Sequence, residues 1–217
     1  MYSLLLIVIL GYLVGSFPTS IVVGRMLRRI DIREHGSKNA GATNVFRILG
    51  WKAGMVAAVV DVGKGILATL LVSKIRVDPL SLNHEIVQII AGTSAVMGHI
   101  WTVLAKFKGG KGVATACGML IALFPWAAFL CSIVFVIMVL TTRYVSVGSM
   151  SAAASLPFIL ILFHYTLDDP VPRPLFMVSF FVSGLIFFTH RANIRRLING
   201  TENRFNKLHL WHRARKH

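Results

Sequence analysis

The sequence predicts an all-α integral membrane bundle of about seven transmembrane helices, some of them short. Two observations carry that reading. Charged residues make up 14% of the 217 positions while hydrophobic ones reach 55%, which is well below the roughly 25% charge of a soluble domain. The charges that exist are also segregated. No charged side chain occurs between Met1 and Gly24, and uncharged runs return at Ile86–Ala105, Gly112–Thr142, Tyr144–Leu167 and Pro174–His190. Runs of this length approach or exceed the ~20 residues that a helix needs to cross a ~30 Å hydrocarbon core. The formal charge of +15 therefore belongs to loops at a membrane surface, and a nucleic-acid partner is not expected.

The spans follow in order from the basic residues, because Lys and Arg near span ends are retained on the cytoplasmic side. The first is expected over Tyr2 to Gly24 with the N-terminus outside; it lacks a basic leader and a convincing small-residue cleavage site, so it reads as a span and not as a cleaved signal. Loop 25–52 then carries seven basic residues inside. The second and third spans, about Ala53 to Ser73 and Glu85 to Ala105, bring the chain out and back to loop 106–112 and its three lysines. The run from Gly112 to Thr142 is long for one crossing, and Pro125 sits near its middle. Two short crossings, Val113 to Phe124 and Trp126 to Leu140, keep loop 141–144 and the basic tail 191–217 inside. Nineteen basic residues then fall inside and three outside, with Lys64 left in a span. The chain reads as a single membrane-embedded domain over 1–217. Cys117 and Cys131 lie in one apolar run and suggest packing, with no disulfide framework or metal motif.

Chemistry is expected at the inner ends, where three polar clusters stand. The first runs Gly36-Ser37-Lys38-Asn39-Ala40-Gly41-Ala42-Thr43-Asn44 and continues to Arg47. Its glycines let backbone amides turn inward beside the short donors Ser37, Thr43 and Asn44, and Arg47 adds a planar fork for phosphate oxygens. The second, Lys106-Phe107-Lys108-Gly109-Gly110-Lys111-Gly112, leads into span four. Glycine-rich backbone, a lysine and a helix N-terminus together suit an anion, although the Walker A spacing fails. The third opens at His190, and on a helix His190, Asn193 and Leu197 share a face. Among residues inside spans, Asp61 and Lys64 are three apart and can neutralise one another, His99 can brace the glycine loop, and Ser149 can donate into the same mouth.

In order and spacing, GSKNAGATNVFRILG, GHIWTVLAKFKGGKGVATACG and HRANIRRLINGTENR strongly resemble the three signature regions of the bacterial acyl phosphate:glycerol-3-phosphate acyltransferases, the PlsY family. With the spans, the resemblance covers nearly the whole chain. It implies an inner-membrane enzyme, its active site facing the cytoplasm, that moves a fatty acyl group from acyl phosphate to the sn-1 hydroxyl of glycerol 3-phosphate, giving lysophosphatidic acid and phosphate. It implies catalytic roles for Ser37, Lys111, His190 and Asn193, and substrate contacts from Gly36, Arg47, Gly109, Gly110 and Ser149, with the glycine backbones forming the walls; Thr43 and Asn44 of the first cluster are expected to add substrate contacts. The implied partners are glycerol 3-phosphate, acyl phosphate, membrane lipids and an upstream enzyme supplying the acyl phosphate. No cofactor or metal is expected. Many relatives carry an acidic residue where this chain has Ala192.

Two competing readings are a transporter for an organic phosphate and a non-catalytic scaffold holding anionic lipid. Against the first, no inverted repeat or paired broken helices are visible. The stretch His164-Tyr165-Thr166-Leu167-Asp168-Asp169 also fits the H-x-x-x-x-D pattern of a different, thioester-using acyltransferase family, but the expected topology puts it at the outer end of the sixth span, the run Tyr144–Leu167, away from the three clusters.

Overall fold

The computed structural model describes residues 1–166 and 171–205, and among these the only regular structure is helical. Ten α-helices run α1 Tyr2–Ser16, α2 Thr19–Arg28, α3 Ala42–Leu49, α4 Trp51–Leu70, α5 His84–Ile100, α6 Val113–Leu123, α7 Pro125–Thr142, α8 Val145–Thr166, α9 Arg173–Thr189 and α10 Arg191–Ile198, with short 3-10 turns between some of them. The external turn expected at Asp168 and Asp169 and the tail beyond Phe205 lie outside the described residues.

Helix boundaries fall where the backbone dictates them. Pro18 lacks an N–H and disfavours helical geometry at Phe17, so the expected first span is two helices, α1 and α2, with Phe17 extended between them (ψ 118°). Arg29 and Arg143 end α2 and α7 in the left-handed conformation. Gly112 at φ +83° starts α6, and Pro125 occupies the first turn of α7, where its missing N–H costs nothing.

Among the described residues five helical stretches are long and apolar enough to cross a membrane: Tyr2–Arg28, Trp51–Lys74, His84–Ala105, Pro125–Thr142 and Val145–Thr166; α9 and α10 make a sixth if their 57° bend is counted within one span. The remaining expected crossing, the fourth in chain order, is α6. Its 11 residues rise about 16 Å, roughly half a hydrocarbon core, so α6 enters the bundle without reaching across it unaided.

Packing around α6 is close because small residues permit it. A Cβ on Gly118 would stand 1.9 Å from the Val62 carbonyl oxygen, and one on Gly65 would stand 2.1 Å from that of Thr115. The backbones of α4 and α6 therefore meet directly, as membrane helices do where bulk is absent. Beyond them, Leu156 and Leu160 of α8 and Leu175 of α9 pack with Ala127 and Ala128 of α7. Val96 and Ile100 of α5 join Met119 of α6 with Val182 and Ile186 of α9. At the end opposite the clusters, the N-terminal ammonium pairs with Asp78, whose carboxylate also accepts the Ser3 amide at 2.7 Å.

Candidate active site

A cavity of about 370 Å³ opens between α3, α4, α6, α7, α8 and α9, with His99 of α5 also on its wall. Its mouth is polar, with Ser37, Thr43, Arg47, Lys111, His190 and Asn193 on its walls; its floor, including Cys131, Phe135, Leu156, Leu175, Val178 and Val182, is largely apolar. The three clusters, far apart in sequence, meet there.

The first cluster is organised by Asn44. This residue is 1% exposed, and its Nδ2 donates to the carbonyls of Ile32, His35 and Asn39 at 3.0, 3.0 and 3.1 Å while Oδ1 accepts the Ser37 amide at 2.9 Å. The side chain shapes its own loop and places Ser37, and Asn44 itself stands on the cavity wall. Gly36, at φ +60°, packs on Asn44, since a Cβ there would lie 2.5 Å from Oδ1; it is a hinge of the loop and does not line the cavity. The loop is tied down by Arg33, which grips Asp31 at 2.7 Å and donates to the Ala105 carbonyl at 3.0 Å. The Arg33 hydrogen bond holds the Asp31 carboxyl down at about 2. Next, α3 begins at Ala42 with no side-chain cap, so its positive dipole end is left to a ligand, although the Asn44 and Val45 amides already donate to the Gly41 carbonyl. Arg47, one turn on, stands in the wall.

The glycine loop departs from its expected role as an amide cradle. Gly109 donates its N–H to the Ile100 carbonyl at 3.1 Å and Gly110 donates to that of His99 at 3.0 Å. These acceptors are at the end of α5, where helix carbonyls lack intrahelical donors; they claim both amides, and neither glycine lines the cavity. What the loop delivers is Lys111, together with the uncapped N-terminus of α6. The Lys111 carbonyl accepts from Thr189 Oγ1 at 3.1 Å, and its Nζ donates to Asn193 Oδ1. Burial pushes the Lys111 ammonium down to about 8, against the pull of Glu202 and with the repulsion of Arg196 and Arg47.

On the opposite wall His190 is 2% exposed, with Nδ1 2.8 Å from the Ile186 carbonyl. A ring lone pair facing a carbonyl oxygen at that distance would repel it, so Nδ1 carries the proton and a neutral ring leaves the Nε2 lone pair available. Asn193 lies one turn on in α10. Its Oδ1 receives Lys111 and its Nδ2 donates to Glu202 at 2.5 Å. Ser149 of α8 lines the cavity with its hydroxyl turned to the Val145 carbonyl at 3.0 Å. Ala192 is exposed, turned away from Asn193.

Sequence reading missed Glu202. One of its oxygens accepts from Ser146 Oγ (2.9 Å) and Asn193 Nδ2, and the other from Arg196 Nε (2.7 Å). Burial raises its carboxyl, but these hydrogen bonds outweigh burial and hold it below the ordinary glutamate range. It is the last acidic residue in the chain, alone among the basic residues after Asp169, and that isolation was the available signal. His164 is remote: it packs edge-on against Phe176 at 5.7 Å and is absent from the cavity wall. Its partner in the H-x-x-x-x-D pattern, Asp169, lies outside the described residues.

The chain's similarities agree with one another. Residues 5–200 match the family model described as glycerol-3-phosphate acyltransferase. Curated relatives named glycerol-3-phosphate acyltransferase include one from Chlorobaculum parvum, 45% identical over 94% of this chain and 97% of the relative. Another, from Chlorobium luteolum, is 42% identical over the same shares. Among solved structures, the chain resembles PlsY (YgiH), an integral membrane glycerol 3-phosphate acyltransferase. The glycerol 3-phosphate form of that protein superposes with a TM-score of 0.83 at 36% identity, covering 96% of this chain and 98% of the other. Its lysophosphatidic acid form gives 0.80 at 36%, covering 95% and 97%.

Proposed function

The chain belongs to the glycerol-3-phosphate acyltransferase family, and from that premise we propose that it transfers a fatty acyl group from acyl phosphate to the sn-1 hydroxyl of glycerol 3-phosphate. The single observation that supports this best is the continuity of one cavity from a cationic mouth to an apolar floor. A phosphate-bearing acceptor and a long acyl chain need those two environments side by side.

In this reading Arg47 and Lys111, with the open N-termini of α3 and α6, hold phosphate oxygens, and charge-assisted hydrogen bonds of this type are the strong ones. The acyl chain lies along Cys131, Phe135 and Leu156 between α7 and α8. Ser37 and Ser149 donate to oxygens at the junction of the two regions, and Asn193, set by Glu202, fixes Lys111. An acyl phosphate is a mixed anhydride and already activated, so no acyl-enzyme and no nucleotide is required. The sn-1 oxygen attacks the acyl carbon, the new ester C–O bond forms, and the bond to the phosphate oxygen breaks. Phosphate leaves with the electron pair. Two bases suit the hydroxyl proton, the lone pair on His190 Nε2 and a phosphate oxygen of the donor. The enzyme's contribution is orientation and charge stabilisation.

We place the protein in the bacterial inner membrane with the N-terminus outside and the cavity mouth facing the cytoplasm, where an upstream enzyme supplies acyl phosphate. Support comes from the basic loops, since every cluster at the mouth belongs to a Lys- and Arg-rich connection. Donor choice tests the proposal. Purified protein given glycerol 3-phosphate is expected to form lysophosphatidic acid from acyl phosphate, with or without a chelator, and not from acyl-CoA. Comparable turnover from acyl-CoA alone would refute the donor assignment.

A further inference from the structure

Behind the glycine loop sits a second polar group, whose Asp61 and His99 reach the inner wall of the cavity. Asp61 of α4 is 2% exposed. Its Oδ1 accepts from Lys64 Nζ at 2.6 Å and Thr19 Oγ1 at 2.9 Å, and it lies 3.7 Å from His99 Nδ1. Lys64 also donates to the Phe17 carbonyl at the break between α1 and α2, at 2.6 Å. A group of this kind inside a span is expensive unless its members satisfy one another, and here Asp61 faces the imidazole of His99 between α4 and α5. The other edge of that ring bears the loop. A Cβ built on Gly110 would stand 2.2 Å from His99 Nε2 and 3.1 Å from Cδ2, so the backbone at 110 rests on the ring, while the His99 carbonyl accepts the Gly110 amide. Lys111 is the next residue. It is therefore suspended between the His99 ring on one side and Thr189 and Asn193 on the other.

We propose, on the reading that Lys111 holds a substrate phosphate, that His99 is a positioning residue for Lys111. Facing Asp61, its ring sets the height of the glycine loop and thereby the place of Lys111 Nζ in the cavity. His99 acts through the loop, not on the substrate, so its effect must vanish when Lys111 has no cation to place.

The test is a double-mutant cycle on the full-length protein in lipid nanodiscs, with kcat and KM for glycerol 3-phosphate measured for each form. His99→Ala is expected to lose about tenfold in kcat/KM in the presence of Lys111, and less than about twofold in the Lys111→Ala background. His99→Gln, which keeps a planar polar group under Gly110, is expected to recover most of the loss and stands in should the alanine variant fail to insert. Gly110→Ala, which drives a methyl into the ring, is expected to cost less beside His99→Ala than alone. Losses that multiply across the His99 and Lys111 sites would overturn the proposal, since general damage or direct substrate contact by His99 costs the same in either background. Wild-type kinetics in His99→Ala would also overturn it. Full activity in the single variant Lys111→Ala would instead refute the phosphate-holding reading beneath it, and is told apart because His99 plays no part in that result.

Discussion

In the proposed mechanism Lys111 supplies the positive charge that holds a substrate phosphate, and its burial puts that charge at risk near physiological pH. Its ammonium is pushed down to about 8 by burial in the cavity wall. The pH dependence of kcat/KM reports the free enzyme, so the unoccupied site sets the profile. With an ionisation near 8, the charged fraction is roughly nine-tenths at pH 7 and roughly one-tenth at pH 9. The phosphate of glycerol 3-phosphate has its second ionisation near about 6, so it stays dianionic across that window and does not mask the effect. Raising the pH discharges the cation, and kcat/KM is expected to fall roughly eight- to tenfold between pH 7 and 9 and about tenfold for each further pH unit. In the saturated complex the bound dianion favours the charged lysine, so kcat is expected to hold to higher pH than kcat/KM. Lys111→Arg sharpens the test. A guanidinium does not discharge in this range, so the alkaline limb is expected to disappear above a lower plateau, the bond to Asn193 being poorly matched by the longer fork. Initial rates from pH 6.5 to 9.5 at constant ionic strength, corrected for spontaneous donor hydrolysis, supply the profile. A wild-type kcat/KM that stays flat to pH 9.5, or an unchanged alkaline fall in Lys111→Arg, would refute the reasoning.

Three further outcomes are expected. Lys111→Ala removes a charged hydrogen bond worth roughly 1.5–3 kcal/mol and is expected to lower kcat/KM at least about tenfold, whereas His164→Ala, packed on Phe176 away from the cavity, leaves it near normal; the reverse pattern in steady-state assays would put the site at the wrong end of the bundle. Asn44→Ala strips four hydrogen bonds from the first loop, leaving buried carbonyls unpaired at a cost of about 2–4 kcal/mol, and is expected to lower both the detergent melting temperature and activity, with an unchanged melting curve counting against its organising role. Reporters fused near Asp78 are expected to read outside, and those near Arg143 and the C-terminus inside; a cytoplasmic signal at Asp78 would invert the proposed orientation.

The helical architecture was legible because hydropathy and charge are local signals. Pro125 divided the Gly112–Thr142 run as the spacing implied, and the basic loops set one end of the bundle apart. What local signals could not carry was competition for hydrogen bonds. Gly109 and Gly110 look like free amides in sequence, yet the closing carbonyls of α5 take both. Asn44 looks like a ligand contact in sequence, yet its side-chain amide also binds three carbonyls of its own loop. Glu202 was invisible as a site residue because its partners, Ser146, Asn193 and Arg196, come together only when the segment after α10 folds back under α8. The break at Phe17–Pro18, read as one continuous span, proved to be the place where Lys64 meets a backbone carbonyl. Lys111, His190 and Asn193, by contrast, lie on the cavity wall together with Ser37, Arg47 and Ser149.

The central claim is direct transfer from acyl phosphate to glycerol 3-phosphate within one cavity, and stoichiometry tests it most directly. Purified protein in nanodiscs is given acyl phosphate alone and then with glycerol 3-phosphate, while phosphate, lysophosphatidic acid and the intact protein mass are followed together. Phosphate and lysophosphatidic acid are expected to appear one for one, only when both substrates are present, with the protein mass unchanged throughout. Protein that gains the mass of an acyl group from the donor alone, or lysophosphatidic acid formed without matching phosphate, would contradict the account.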